Sequence, residues 1–275
     1  MATVANPICL SPLKFYESAS WQNHKRSYAY GHISPLITQK GYIQSFQFVI
    51  PAGDNVSIRV FLCSVDGQNI TELQTLEVYV ENIGGYNLVI SKGIHLLTQF
   101  EGEYYIKIKC QYTEEEEIEY YSEVLCFKAI TSEMDDYMQI VYKNSTGNFI
   151  LKNGIISFDN DFEFELYVIA ELGKPNYNFE EELTKRLGYN FIESQVSKKV
   201  YKFNTVVPEY ICDALRIIRL CDTKKLTYKG QEYDMLSFDM DVDWQTQGDL
   251  ASVTCEFEVD NVIVNLGGFI APNNT

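Results

Sequence analysis

The sequence predicts a mainly β fold: an N-terminal immunoglobulin-like β-sandwich followed by an α+β domain with an antiparallel sheet and one main helix. Three observations predict it. Aromatic residues are abundant and turn formers few, with 20 Tyr and 16 Phe against 16 Gly and 7 Pro in 275 residues; aromatic side chains suit a pleated, half-buried surface. Short apolar stretches recur between turn signals from residue 41 to about 130, the spacing of a sandwich. Only one segment, PEYICDALRIIRLCD at 208–222, carries a clear helical stripe.

The elements follow in chain order. Residues 1–40 show neither strand nor helix period and read as an aromatic, basic arm carrying Trp21, Tyr28 and Tyr30. Residues 41–132 read as the sandwich, through GYIQSFQFVI, VSIRVFLCSV, TLEVYV, YNLVI, EYYIKIKCQY and YYSEVLCFKAI. The Glu101–Ile106 stretch resembles the entry to an immunoglobulin-type strand with its corner tyrosine, without disulfide cysteines at the usual places. The pattern resets near 131–136, so residues 133–275 form the second domain. YMQIVYKN and FEFELYVIAEL read as strands, and GKPNYNFEEELTKRLGYNF as a passage between them and the strand VSKKVYKFNTVV. In the helix, Pro208 and Glu209 suit the first turn, and Ile211, Ala214, Leu215, Ile218 and Cys221 fall on one stripe. TKKLTYKGQEYDML then reads as a hairpin.

The last hairpin has the cleanest pattern. Phe238, Met240, Val242 and Trp244 alternate with Ser237, Asp239, Asp241 and Asp243, and Ala251, Val253, Cys255, Phe257 and Val259 alternate with polar residues. Period two places the acids on one face. Opposed like charges on paired strands cost free energy, so this face is expected to be neutralised by lysines of a neighbouring strand, for which Lys224, Lys225 and Lys229 of the preceding hairpin are the candidates, by a cation, or by another chain. The helix stripe is expected against the hairpin's apolar face.

Charge and motif content narrow the function. The net charge of −16 excludes general nucleic-acid binding and attraction to anionic membranes. The arm is net +3, with Lys14, Lys25, Arg26 and Lys40 against Glu17, leaving −19 on the rest. Seven cysteines without a C-x-x-C spacing read as free, buried thiols in a reducing compartment. The first residues, MATVANPICLSPLKF, lack a basic stretch followed by an apolar run, which predicts a soluble protein made in the cytosol. His24, His32 and His95 have no ligand or triad spacing, and no phosphate-binding or nucleophile motif occurs. No catalytic, metal or cofactor residue is expected. Asp159-Asn160-Asp161 lacks the glycine and glutamate of a calcium loop and reads as a turn into a strand. The tyrosine pairs 104/105 and 120/121 place one ring of each pair in the core, and the other is a candidate for stacking sugars.

Four blocks, PLKFYESASWQNHKRSYAYGHISPLI, ELGKPNYNFEEE, PEYICDALRIIRLCD and DWQTQGDLASVTCEFEVD, together resemble a group of structural proteins of tailed bacteriophages and prophages of Bacteroides-type gut bacteria, associated with tail or tail-tip assembly. The resemblance implies a non-enzymatic virion protein of the tail, baseplate or neck ring. Its partners would be copies of itself in a ring-like homo-oligomer and other tail or neck proteins. A carbohydrate-binding adhesin module for host attachment is the alternative, and a hydrolase of the host envelope a third reading with no catalytic cluster to support it. The candidate interface residues are Trp21, Lys25, Arg26, Tyr28 and Tyr30 of the arm, meeting Asp239, Asp241 and Asp243 of a neighbour's hairpin; the alternative is an arm that folds back over its own sandwich.

Overall fold

A computed structural model describes residues 11–13, 15–16, 36–52, 56–67, 70–73, 78–83, 86–96, 100–113, 117–128, 136–144, 148–151, 154–157, 163–186, 189–244 and 250–265. The first half runs β1 (Phe15–Tyr16), β2 (Leu36–Gln39), β3 (Tyr42–Ile43), β4 (Phe46–Pro51), β5 (Ser57–Ser64), β6 (Ile70–Leu73), β7 (Val78–Ile83), β8 (Tyr86–Ser91), β9 (Ile94–His95), β10 (Gly102–Gln111) and β11 (Glu117–Lys128). One sheet has the order β1-β11-β10-β5-β6, with β2 also on β11; the facing strands are β4-β8-β7, with a short β3-β9 pair.

Strand pattern dictates this packing. Val60 and Leu62 on β5, Ile106 and Ile108 on β10, and Phe46, Phe48 and Ile50 on β4 alternate inward and are all at most 2% exposed. Rings pack this core: Phe15 lies 5.4 Å from Phe46 and 5.6 Å from Phe48, and aromatic pairs add to the burial term. Tyr104 fills space between Phe100 and Phe127. Gly93 is required by packing, since a Cβ there would stand 1.9 Å from the Tyr42 hydroxyl.

The start of the sandwich lies earlier than residue 41. β1 pairs antiparallel and β2 parallel with the same strand, β11, and Leu13 and Leu36 are buried in the core. The reason is local: LKFY and LITQ are too short to show a period. The segment between them in sequence is 17–35. Trp21, Lys25, Arg26, Tyr28 and Tyr30 lie in it and outside the described residues, as do the Asp159–Asp161 turn, His24, His32 and Cys9.

The second half runs β12 (Tyr137–Lys143), β13 (Asn148–Leu151), β14 (Gly154–Ser157), β15 (Phe164–Ile169), β16 (Glu171–Leu172), β17 (Asn176–Arg186), β18 (Tyr189–Pro208), α1 (Glu209–Leu220), β19 (Thr223–Tyr228), β20 (Gln231–Asp234), β21 (Ser237–Trp244) and β22 (Leu250–Asn265). β15-β12-β19-β20 form one sheet and β16-β18-β22-β21 another, with β17 also on β18; β13-β14 is a separate hairpin. The two larger sheets face each other across Tyr201, Phe203, Phe257 and Tyr233. Lys229 and Gly230, at φ 50° and 76°, make the tight turn between β19 and β20 that twisted strands favour.

The helix connects β18 of one sheet to β19 of the other. Its buried side chains include Ile211, Ala214, Leu215 and Ile218, packed against β21, β18 and β22, as the stripe predicts. Cys221 is the cap residue rather than a member of the last turn, and it is buried like Cys212.

The two halves share one apolar core and meet where β2 contacts β15. That junction is partly polar. Glu165 is 8% exposed; its Oε2 accepts from Gln139 Nε2 at 2.9 Å, while its Oε1 has no partner among the described residues. Burial raises the Glu165 pKa, hydrogen bonds from Gln139 and Tyr167 oppose the rise, and the charge of Glu163 adds to it. Burial, then Glu165, also pushes the Tyr42 phenol up to about 12. A raised carboxyl pKa means that the native state holds the proton more tightly than the unfolded chain. Stability from this group is therefore complete below about pH 4.3, the unfolded value, and falls as pH rises through the folded value. Glu165→Gln is expected to stabilise the protein at pH 7 by about 1 kcal/mol, the scale of an unsatisfied buried group. The gain over wild type should vanish towards pH 4, read by thermal melts across pH.

Candidate functional site

The ladder between β18 and β22 runs from Pro208↔Leu250 to Ser194↔Asn265. Only its first part is covered by the second sheet. In the body, Tyr201 and Phe203 of β18 and Ala251, Val253, Cys255 and Phe257 of β22 point inward and are buried. Tyr233 of β20 ends that cover, lying 5.1 Å from Tyr201. Beyond it the strands continue as a ribbon, with β17 laid against β18 from Asn176↔Val200 to Arg186↔Tyr189. β17 rests on no other element to a comparable extent.

Alternation carries the inner face out along this ribbon. Lys199 shares a face with Tyr201, over whose ring its ammonium sits at 5.4 Å, and it is opposite Tyr177. Tyr177, Phe179 and Leu183 therefore prolong the face that forms the core in the body, yet they are 60%, 64% and 59% exposed. The opposite face also shows an apolar residue, Ile263, 63% exposed and opposite Val196. A ribbon that works alone in water is expected to be polar on both faces, and an exposed apolar stripe marks an interaction surface. The β17 outer edge has no partner strand among the described residues.

The hairpin acids lie on the outer face of the same sheet, as the period predicts. Asp239, Asp241 and Asp243 are exposed. They form three rows: Asp239–Glu256–Lys202, Asp241–Thr254–Asn204 and Asp243–Ser252–Val206. The cations that balance this face are not the expected ones. Arg219, at the end of the helix, pairs with Asp239 at 3.0 Å, and Lys202 pairs with Glu256. Lys225 instead meets Glu232 and Asp234 on its own hairpin, and Lys224 is buried with its ammonium 2.5 Å from the Cys221 carbonyl. Only one row sets acid against acid, which is why the face tolerates its charge. Asp241 and Asp243 have no ion pair among the described residues.

The outer face continues into an open cleft of about 680 Å³ lined by Asn204, Val206, Ser252, Ile169, Glu171 and Lys229, among others. On the first sandwich, Tyr120 is buried while Tyr105 and Tyr121 lie on the outer face, centroids 6.1 Å apart. Tyr121 does not offer an open stacking surface: Lys107 sits over its ring at 5.4 Å and its hydroxyl bonds Glu119. Burial would raise the Glu119 pKa, but bonds from Lys107, Tyr121 and Lys109 outweigh it and hold the carboxyl at about 2. Cys63, Cys110, Cys126, Cys212, Cys221 and Cys255 are free thiols, and all but Cys126 are buried. Burial pushes Cys110, Cys221 and Cys255 up to about 12, far from a reactive thiolate. Among the described residues no group of three His, Cys, Asp or Glu is placed to hold a metal ion, and no helix is long and apolar enough to cross a membrane.

No known protein family matches the sequence, and no curated protein matches it. Among solved structures, an uncharacterized protein of Listeria monocytogenes EGD-e, in complex with α- and β-D-glucose, magnesium and calcium, aligns at 8% identity and a TM-score of 0.26. The alignment covers 91% of this chain, which spans about a third of the Listeria protein, 31% of its length.

The acids of β21 contribute charge to a surface rather than support to the fold. Asp241→Asn with Asp243→Asn is expected to leave the melting temperature unchanged or slightly raised at low salt, with any gain fading at high salt as screening replaces it.

Proposed function

We propose that the chain is a non-enzymatic structural subunit that acts by protein–protein contact. The uncovered apolar face of the ribbon carries this reading: Tyr177, Phe179 and Leu183 prolong a core-forming face into solvent, and a second protein surface is what would complete it. The tail, baseplate or neck of a tailed bacteriophage is the setting that the sequence resemblance implies, with copies of the same chain and other tail or neck proteins as partners.

The ribbon separates assembly from folding. Replacing Tyr177, Phe179 and Leu183 together by Ser is expected to turn an associating protein into a monomer, measured by light scattering after size exclusion, while changing monomer stability by only about 0.5 kcal/mol, as at exposed sites. A variant that assembles like wild type would exclude the ribbon as the contact.

The acidic outer face is the counterpart we assign to the basic segment of a neighbouring copy. Aromatic and arginine side chains such as Trp21, Tyr28, Tyr30 and Arg26 are common interface anchors, and charge complementarity chiefly sets register and association rate. Lys25→Glu with Arg26→Glu is expected to weaken assembly, more at low than at high salt, with the monomer's melting curve unchanged. A destabilised monomer would show that the segment packs on its own chain.

A further inference from the structure

The ribbon's inner face carries a charge pattern that points to its partner. Glu181, Leu183 and Lys185 occupy alternate positions of β17 and so share that face. The strand is regular here, because the irregularity between Glu182 and Leu183 is taken up by an extra residue, Glu193, on β18. Glu181 accepts the side-chain amide of Gln195 at 2.8 Å and meets no cation among the described residues. Lys185, likewise exposed, meets no carboxylate among them. Between the two stands Leu183, 59% exposed. On the other face of the ribbon Glu180 pairs with Lys198 at 2.7 Å, and Glu182 accepts from the Ser194 hydroxyl at 3.2 Å. The large exposed apolar groups of β17 thus share one side with a carboxylate and an ammonium group that flank Leu183 at equal distances along the strand.

We propose that this face packs on the same face of a second copy of the chain, the two β17 strands antiparallel about a twofold axis through Leu183. The proposal rests on the assembly reading above and names its partner. An isologous contact brings each residue onto its symmetry counterpart. With the axis at Leu183, leucine meets leucine, and Glu181 of each copy meets Lys185 of the other. An axis at Glu181 would set that carboxylate on its own counterpart, and one at Phe179 would leave both charges unmatched. The same contact withdraws apolar surface from water and neutralises two carboxylates and two ammonium groups, which explains why the chain leaves them unpaired.

Cross-linking and charge reversal test the arrangement on the full chain. Wild type is expected to associate in a concentration-dependent way by light scattering. Leu183→Cys should give a disulfide-linked dimer under mild oxidation, because a residue on the axis meets itself, whereas Tyr177→Cys and wild type should not. Glu181→Lys or Lys185→Glu alone places like charges in both symmetric pairs and should weaken association by about tenfold or more. The double variant restores complementarity and should associate within about threefold of wild type. If wild type associates but Leu183→Cys fails to cross-link and the double variant is no better than the singles, this contact is wrong while the assembly reading stands. A folded wild type that stays monomeric at every concentration overturns both, and assigns the face to a different protein or to another segment of the same chain.

Discussion

The pairing of β18 with β22 is the constraint on which the rest of the structure depends. Within the body these two strands make the centre of the second half's larger sheet and present Tyr201, Phe203, Val253 and Phe257 to the core. Their near ends set where α1 and β21 attach: the helix starts directly after Pro208, and β21 pairs with β22 from Trp244↔Ala251 onward. Their far ends leave the body with no change of partner strand, and one extra residue on β22, Val259, shifts the register between Lys199↔Asp260 and Val200↔Glu258. An antiparallel ladder satisfies backbone groups wherever it runs, whereas burial of side chains needs a second layer. Here the ladder is longer than the layer that covers it.

That mismatch accounts for the polarity of the sheet. Where β19 and β20 cover the inner face, apolar residues are hidden and the acids project outward from β21. Past Tyr233 the inner face has no cover within the described chain, yet Tyr177, Phe179 and Leu183 keep the apolar period of the body. The outer face shows the converse economy. Arg219 and Lys202 offset one row of acids, and Asp241 and Asp243 remain as a local negative surface on a chain whose net charge is −16. The two surfaces differ in chemistry and face opposite ways, so each can engage a different neighbour.

Much of the architecture was legible because burial is one-sided there. The hairpin of Phe238 and Phe257, the stripe of Ile211, Leu215 and Ile218, and the strands of the first sandwich all alternate or repeat against a single core, and period reports such burial directly. The ribbon strand β17 was not read as a strand. Its run NYNFEEELTKR has apolar residues at 177, 179 and 183 but a glutamate at 181, and three successive glutamates are poor strand formers. Exposure on both faces removes the contrast on which period depends. β1 and β2 were lost for a different reason: two to four residues are too few for any period, and their pairing with β11 is a property of the folded chain. The charge partners of the acidic face were misassigned because Lys224 and Lys225 are near in sequence, while Arg219 and Lys202 reach the face from the helix end and the next strand but one.

The account stands on β17 being open in the isolated subunit and closed in the assembly. Hydrogen–deuterium exchange of residues 176–186, compared between dilute monomer and assembled protein, measures this most directly. The amides of β17 that bond β18 should exchange by local opening of the uncovered ribbon in the monomer and become protected on assembly, while the core strands β10 and β12 stay protected in both. Protection of the whole of β17 in the dilute monomer, or its full exposure in the assembly, would contradict the account.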